Sequence, residues 1–137
     1  DYPKIKYFFG KVTMYPDYNK MGRDLILGFL SYFFPNKENW IEAKNPLKGH
    51  HDISFFIKKI ENLEYKLAYK ELIKSLRDLE CSLPPLIAAY MNLSLTMRSF
   101  GTALNTNFGQ VEETGILISI EDIYSEKKDR HINTYIK

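Results

Sequence analysis

The chain opens on a pattern of period two. Ile5, Tyr7 and Phe9 alternate with Lys6, Phe8 and Gly10, and aromatic or β-branched side chains dominate positions 5–14, which is the pattern of a strand. Phe8, Val12 and Met14 make its second face as bulky as the first, so the segment is expected to be an interior strand covered on both sides. Tyr15-Pro16-Asp17 then reads as a turn with Asp17 at an N-cap. Over 18–34 the period becomes helical: Tyr18, Met21, Leu25, Phe29 and Tyr32 or Phe33 form a stripe, Ile26 and Leu30 broaden it, and Pro35 ends it. A strand running into a helix is a β-α unit, which calls for a further strand beside it.

Residues 36–52 read as a loop with Pro46 and Gly49, anchored by Trp40 and Ile41. Helical patterning resumes after Asp52, with Ile53, Phe56, Ile57 and Ile60 on one face, then Leu67, Ala68, Leu72, Leu76 and Leu79. This is either one helix or two broken near Asn62. Pro84-Pro85 stops that run and starts a short helix over 86–93, since proline suits a first turn. A hairpin follows, with arms at 96–105 and 110–121 joined by Asn105-Thr106-Asn107-Phe108-Gly109. Gly101 and Gly115 inside the arms predict a bulge or a close backbone approach. The expected fold is α+β in one domain: a β-α unit (1–35), a helical region (36–95), a β-hairpin (96–124) and a polar tail (125–137). The first strand lacks a neighbour on its other side, and that neighbour is expected to precede the first residue.

Composition narrows the function classes. At 137 residues, with 45% hydrophobic and 26% charged side chains, the chain can build one core and is neither disordered nor fibrous. The net charge is only +2, and the Lys-rich stretch over 58–74 is interleaved with Glu61, Glu64 and Glu71, as on a solvated helix face. No nucleic-acid partner is expected. The single Cys81 suggests a reducing compartment. Asp1-Tyr2-Pro3-Lys4 lacks the layout of a leader, and the apolar run 25–34 is about half of the ~20 residues that span a bilayer. The chain reads as soluble and cytoplasmic.

Several separated blocks carry a family resemblance. Leu83-Pro84-Pro85-Leu86-Ile87, Ala89-Tyr90-Met91, Gly101-Thr102-Ala103-Leu104-Asn105-Thr106-Asn107-Phe108 and Val111-Glu112 resemble the C-terminal half of the hemolysin-labelled acyltransferases. These are relatives of the GNAT superfamily that include bacterial enzymes of ornithine-lipid and glycine-lipid synthesis. Lys6-Tyr7-Phe8-Phe9-Gly10-Lys11-Val12-Thr13-Met14-Tyr15-Pro16 looks closer still to the Bacteroides-type members that acylate glycine. Asn105 and Asn107 stand where the ornithine-lipid members carry acids, Thr102 replaces a Glu, Ala103 follows without the usual Pro, and Glu112 replaces an Asp.

The resemblance implies a partial GNAT-like fold in which 5–14 is the fifth strand, 18–34 the fourth helix, the hairpin the sixth and seventh strands, and 36–95 an insertion. The fourth strand and third helix, which admit the acyl-pantetheine arm and hold its phosphates at a helix N-terminus, would precede Asp1, so the isolated chain would lack the donor site. The implied activity is transfer of a fatty, 3-hydroxy acyl group to the amine of a small amino acid. The donor would be acyl carrier protein or acyl-CoA, with no permanently bound cofactor and no metal. Lys4, Lys6, Lys11 and Lys20 could steer an acidic carrier protein, and 25–34 or Trp40-Ile41 could touch a membrane peripherally. Two other classes stay open: a non-catalytic interaction module that dimerises through an open strand edge, and a membrane-active, hemolysin-like protein, although no spanning helix or run of barrel strands is visible.

Amine acylation needs a base, a polarised carbonyl and a proton for the departing sulfur. Glu112 and Glu113 are adjacent on a strand and so point to opposite faces. Either Glu112 binds or deprotonates the acceptor, or both are ordinary surface carboxylates. Tyr15 and Tyr18 flank the strand-to-helix turn where a sulfur-protonating phenol is expected, although Tyr18 also fits the packing stripe. Asn105, Asn107, Arg98 and Glu113 are candidates to hold the acceptor, Arg98 as a fork on its carboxylate; turn chemistry and a surface role are the alternatives. His50-His51-Asp52 could suggest a metal, but the spacing fits no ligand motif and a loop with Asp52 as helix cap is the simpler reading.

Overall fold

The computed structural model describes residues 6–36, 51–94, 96–105 and 109–124. Strand β1 (Tyr7–Met14) leads into helix α1 (Lys20–Phe33). Helices α2 (Ser54–Ile60), α3 (Tyr65–Asp78) and α4 (Pro85–Met91) follow, then strands β2 (Arg98–Asn105) and β3 (Val111–Ser119) and a closing 3-10 turn (Ile120–Asp122). The strands form an antiparallel sheet in the order β1-β3-β2. The α+β class, the β-α unit, the helical stretch and the hairpin are therefore all present.

Of the two readings left open after Asp52, the structure has two helices broken near Asn62. Three details differ from the sequence reading. The cap of α1 is Asn19, whose side chain accepts from the Gly22 N–H at 2.9 Å, rather than Asp17. Tyr18 lies in the turn before the helix, donating its N–H to the Tyr15 carbonyl at 3.1 Å. The third concerns β1. Among the described residues it pairs only with β3, and Tyr7, Phe8 and Phe9 are 52%, 45% and 50% exposed. Only Val12 and Met14 are buried; nearer its start the strand meets the helices through Tyr90 of α4, whose ring centroid is 6.0 Å from that of Phe8, and this leaves Phe8 half exposed. Bulk on both faces is therefore not evidence of cover on both faces.

The central strand β3 shows why the sheet has an inside. Glu112, Thr114, Ile116 and Ile118 are all buried, while Glu113, Gly115, Leu117 and Ser119 are half-buried on the opposite face. The register slips between Ser99 and Thr102, at the expected Gly101 bulge. Gly109 turns the hairpin with φ +70, the left-handed region that glycine enters without strain.

The core lies between this inner face and the helices. Phe29 is fully buried, with ring centroids 4.7 Å from Phe33, 5.8 Å from Tyr65 and 6.4 Å from Tyr69. The Tyr65 hydroxyl donates to the Met91 carbonyl at 3.1 Å, tying α3 to the end of α4. The C-terminal turn of α1 is fastened to β2 by Ser99, whose N–H and hydroxyl both donate to the Phe34 carbonyl at 2.8 Å. These fastenings fix the rotation of α1 and hence which of its side chains meet β3.

Phe29→Ala should cost about 3–5 kcal/mol, the range for emptying a large aromatic site. Urea unfolding monitored by circular dichroism measures it.

Candidate functional site

On α1, Lys20 and Arg23 are three residues apart and share a face, and that face meets the buried start of β3. Glu112 is 4% exposed there. Its carboxylate accepts from Arg23 Nη1 at 3.0 Å and from Lys20 Nζ at 3.4 Å. The same Arg23 donates from Nε to Asp24 Oδ1 at 2.9 Å. Asp24, 2% exposed, accepts at its other oxygen from the backbone N–H of His51 and contacts His51 Nδ1, both at 2.7 Å. Side chains from β3, α1 and the segment before α2 thus form one line: Glu112, Arg23, Asp24, His51.

Burial works against the charge on Arg23, but hydrogen bonds to Asp24 and Glu112 and their negative charges more than offset it, so its pKa lies above the ordinary arginine value. The guanidinium is a permanent cation between two carboxylates. Lys20 is 44% exposed and closes the solvent side of Glu112. At the other end a carboxylate can only accept, so in the contact with Asp24 it is Nδ1 of the His51 ring that carries the proton. The ring is 46% exposed, so the line runs from the sheet interior to the surface.

Glu112 and Glu113 do point to opposite faces, and this separates the candidate residues. Glu113 lies on the open face, paired with Lys11 at 3.7 Å and accepting from Asn105 Nδ2 at 3.2 Å. Arg98 is opposite Leu117, on the face away from Glu112 and five strand positions from it, roughly 17 Å at ~3.4 Å per residue. It lines an open cleft of about 210 Å³ with Tyr7, Thr96, Leu117, Ser119, Glu121 and Asp122, and donates to the Thr96 carbonyl at 2.8 Å. One small amino acid cannot bridge Arg98 and Glu112. Tyr15 is 64% exposed. The Tyr18 hydroxyl donates to the Ser82 carbonyl at 2.7 Å, and burial followed by its proximity to Cys81 raises its pKa, so it holds its proton tightly.

Asn107, Lys4, His50, Trp40 and Ile41 lie outside the described residues. Asp52 acts locally, accepting from the Ser54 N–H at 3.0 Å, which lowers its pKa. Among the described residues no group of three His, Cys, Asp or Glu side chains could hold a metal ion, and no helix is long and apolar enough to cross a membrane.

Two curated relatives align with nearly the whole chain. One, from Phocaeicola vulgatus, is 48% identical over 139 aligned positions that take in 98% of this chain and 41% of the relative; its name is glycine N(alpha)-acyltransferase. The other, from Bacteroides thetaiotaomicron, bears the same name and is 47% identical, covering 98% of this chain and 40% of the relative. The chain is similar to glycine N-acyltransferases. It spans about two fifths of their length. No protein-family profile and no solved structure matches it.

Reading the sequence singled out Glu112 but missed Arg23, Asp24 and the contact of His51 with Asp24. A signal was present for Arg23. It recurs with Ile26 and Leu30 at the i, i+3, i+7 spacing of one apolar face, where a charge calls for a buried partner.

Arg23→Leu strands two buried carboxylates and should cost about 3–5 kcal/mol, whereas Lys20→Ala, at a partly exposed pair, should cost less than about 1 kcal/mol. Paired urea titrations measure the difference.

Proposed function

We propose that this chain is part of an N-acyltransferase that moves a fatty acyl group from a thioester to the amine of a small amino acid, glycine first. The observation that carries this reading is the similarity across 98% of the chain to two proteins named for that reaction. The strand-to-helix arrangement of β1 and α1 and the hairpin that completes the sheet are compatible with a partial GNAT-like acyltransferase fold. In this reading the chain is the C-terminal part, and the donor site is built with the portion of the relatives that it does not span.

The preferred donor is an acyl carrier protein carrying a 3-hydroxy acyl chain, and the product is an aminolipid. Lys11 and Lys20 support this, with side chains 58% and 44% exposed, as cations able to draw an acidic carrier toward the end of β1. Tyr15, exposed where β1 gives way to α1, is the candidate proton source for the departing sulfur. Glu112, enclosed by two cations, acts through Arg23 rather than on the amine.

A second reading has its own observation. Among the described residues β1 has no strand on its outer side, its Tyr7, Phe8 and Phe9 are half exposed, and an aromatic edge strand is a template for pairing. It suits an interaction module that binds a strand of a second copy.

The complete polypeptide, given glycine and a 3-hydroxyacyl carrier protein, should form N-acylglycine detectable by mass spectrometry, and faster than with the matching acyl-CoA. No amide product with any small amino acid and either donor contradicts the acyltransferase reading. A light-scattering mass of two chains in that case favours the pairing module.

A further inference from the structure

We infer that His51, oriented by Asp24, is the base that takes the proton of the attacking amine. The inference rests on the acyl-transfer reading and names the group that performs its proton step.

The geometry is that of an oriented imidazole. Asp24 Oδ2 accepts from the His51 backbone N–H and contacts ring Nδ1, both at 2.7 Å, so one oxygen fixes both the residue and its ring. With the proton on Nδ1, the basic lone pair is on Nε2 of a ring that is 46% exposed. Asp24 itself is 2% exposed and beyond the reach of an acceptor. Its other oxygen is held by Arg23 at 2.9 Å, and Arg23 by Glu112 at 3.0 Å. The imidazole is thereby referenced to the central strand of the sheet.

Charge favours the same assignment. The imidazolium formed in the reaction rests directly against the Asp24 carboxylate, 2.7 Å from Nδ1. Among the described residues Glu112, Glu113 and Tyr18 are less suited to take a proton. Glu112 is enclosed by two cations, Glu113 is paired with Lys11 and Asn105, and Tyr18 holds its proton in a hydrogen bond to Ser82.

The step balances without a co-reactant. The amine nitrogen attacks the thioester carbonyl carbon, the C–N bond forms, and one N–H proton passes to Nε2. The C–S bond then breaks, the departing thiolate takes the Tyr15 hydroxyl proton, solvent restores that proton to Tyr15, and the imidazolium returns its own proton to solvent. An amide and a free thiol result. Asp24, Arg23 and Glu112 are positioning residues, since none touches the reacting atoms.

The test uses the complete polypeptide and two readouts. In the glycine assay, His51→Gln should lower kcat by about 10²–10⁴-fold, the usual share of a general base, with the KM for the acyl donor changed less than about threefold. Added imidazole should restore part of the rate. Asp24→Asn should lower kcat at least about tenfold, because it no longer enforces the tautomer. Independently of activity, 15N imidazole shifts of the unmodified protein should show His51 protonated at Nδ1. Turnover of His51→Gln within about threefold of the parent overturns the inference and leaves the acyltransferase reading intact. A ring protonated at Nε2 overturns it without any variant. A parent protein that acylates no amine overturns both.

Discussion

A cation that cannot lose its proton sits inside this small domain, and the arrangement around it follows from that. Arg23 is 5% exposed, and a buried guanidinium is tolerated only when its hydrogen bonds are met by negative charge. The sheet supplies Glu112 from one side and α1 supplies Asp24 from the other. Each carboxylate also needs more than one donor once it is out of water. Glu112 takes Lys20, and Asp24 takes His51 twice. The requirement to satisfy one charge thus passes outward until it reaches a side chain at the surface. Such a buried ionic line adds little net stability compared with an apolar replacement; its value here is that it places one ring.

The scaffold explains why that placement can be accurate. α1 is pinned at its far end by Ser99 of β2 and along its length by Phe29 against Tyr65 and Tyr69. Its rotation is therefore set by the core and not by the charges. The face that meets β3 carries Lys20 and Arg23 as a consequence. The sheet also partitions the chemistry. Glu112 and its partners lie on the helix side, while Arg98, Asn105 and Glu113 lie on the open side with Leu117 and with Tyr7 and Phe9 of β1. His51 stands at the surface end of the helix-side line, and the cleft lined by Arg98 lies on the other face.

Much of this architecture could be read from the residues, for local reasons. Ile116 and Ile118 announce the central strand by alternation, Gly101 marks the slip in register, and Pro84-Pro85 separates α3 from α4. All are signals contained within a few neighbouring residues. What was not legible depends on distant pairs. Arg23 meets Glu112 across 89 residues and Asp24 meets His51 across 27, and no periodicity encodes which surface Asp24 turns toward. The exposure of β1 was missed for a related reason. Tyr7, Phe8 and Phe9 report what a strand could bury, but only the extent of the helix layer decides what it does bury. Glu112 stood out as part of the family resemblance and as one of two adjacent carboxylates on a hairpin arm, but its enclosure by Arg23 and Lys20 rests on partners about 90 residues away.

The claim that Glu112, Arg23 and Asp24 act as one unit is tested most directly by a double-mutant cycle on unfolding free energy, combining Asp24→Asn with Glu112→Gln. Two carboxylates sharing one buried guanidinium should couple by more than about 0.5 kcal/mol. Costs that simply add, within about 0.3 kcal/mol, would mean that Arg23 does not link the sheet to His51.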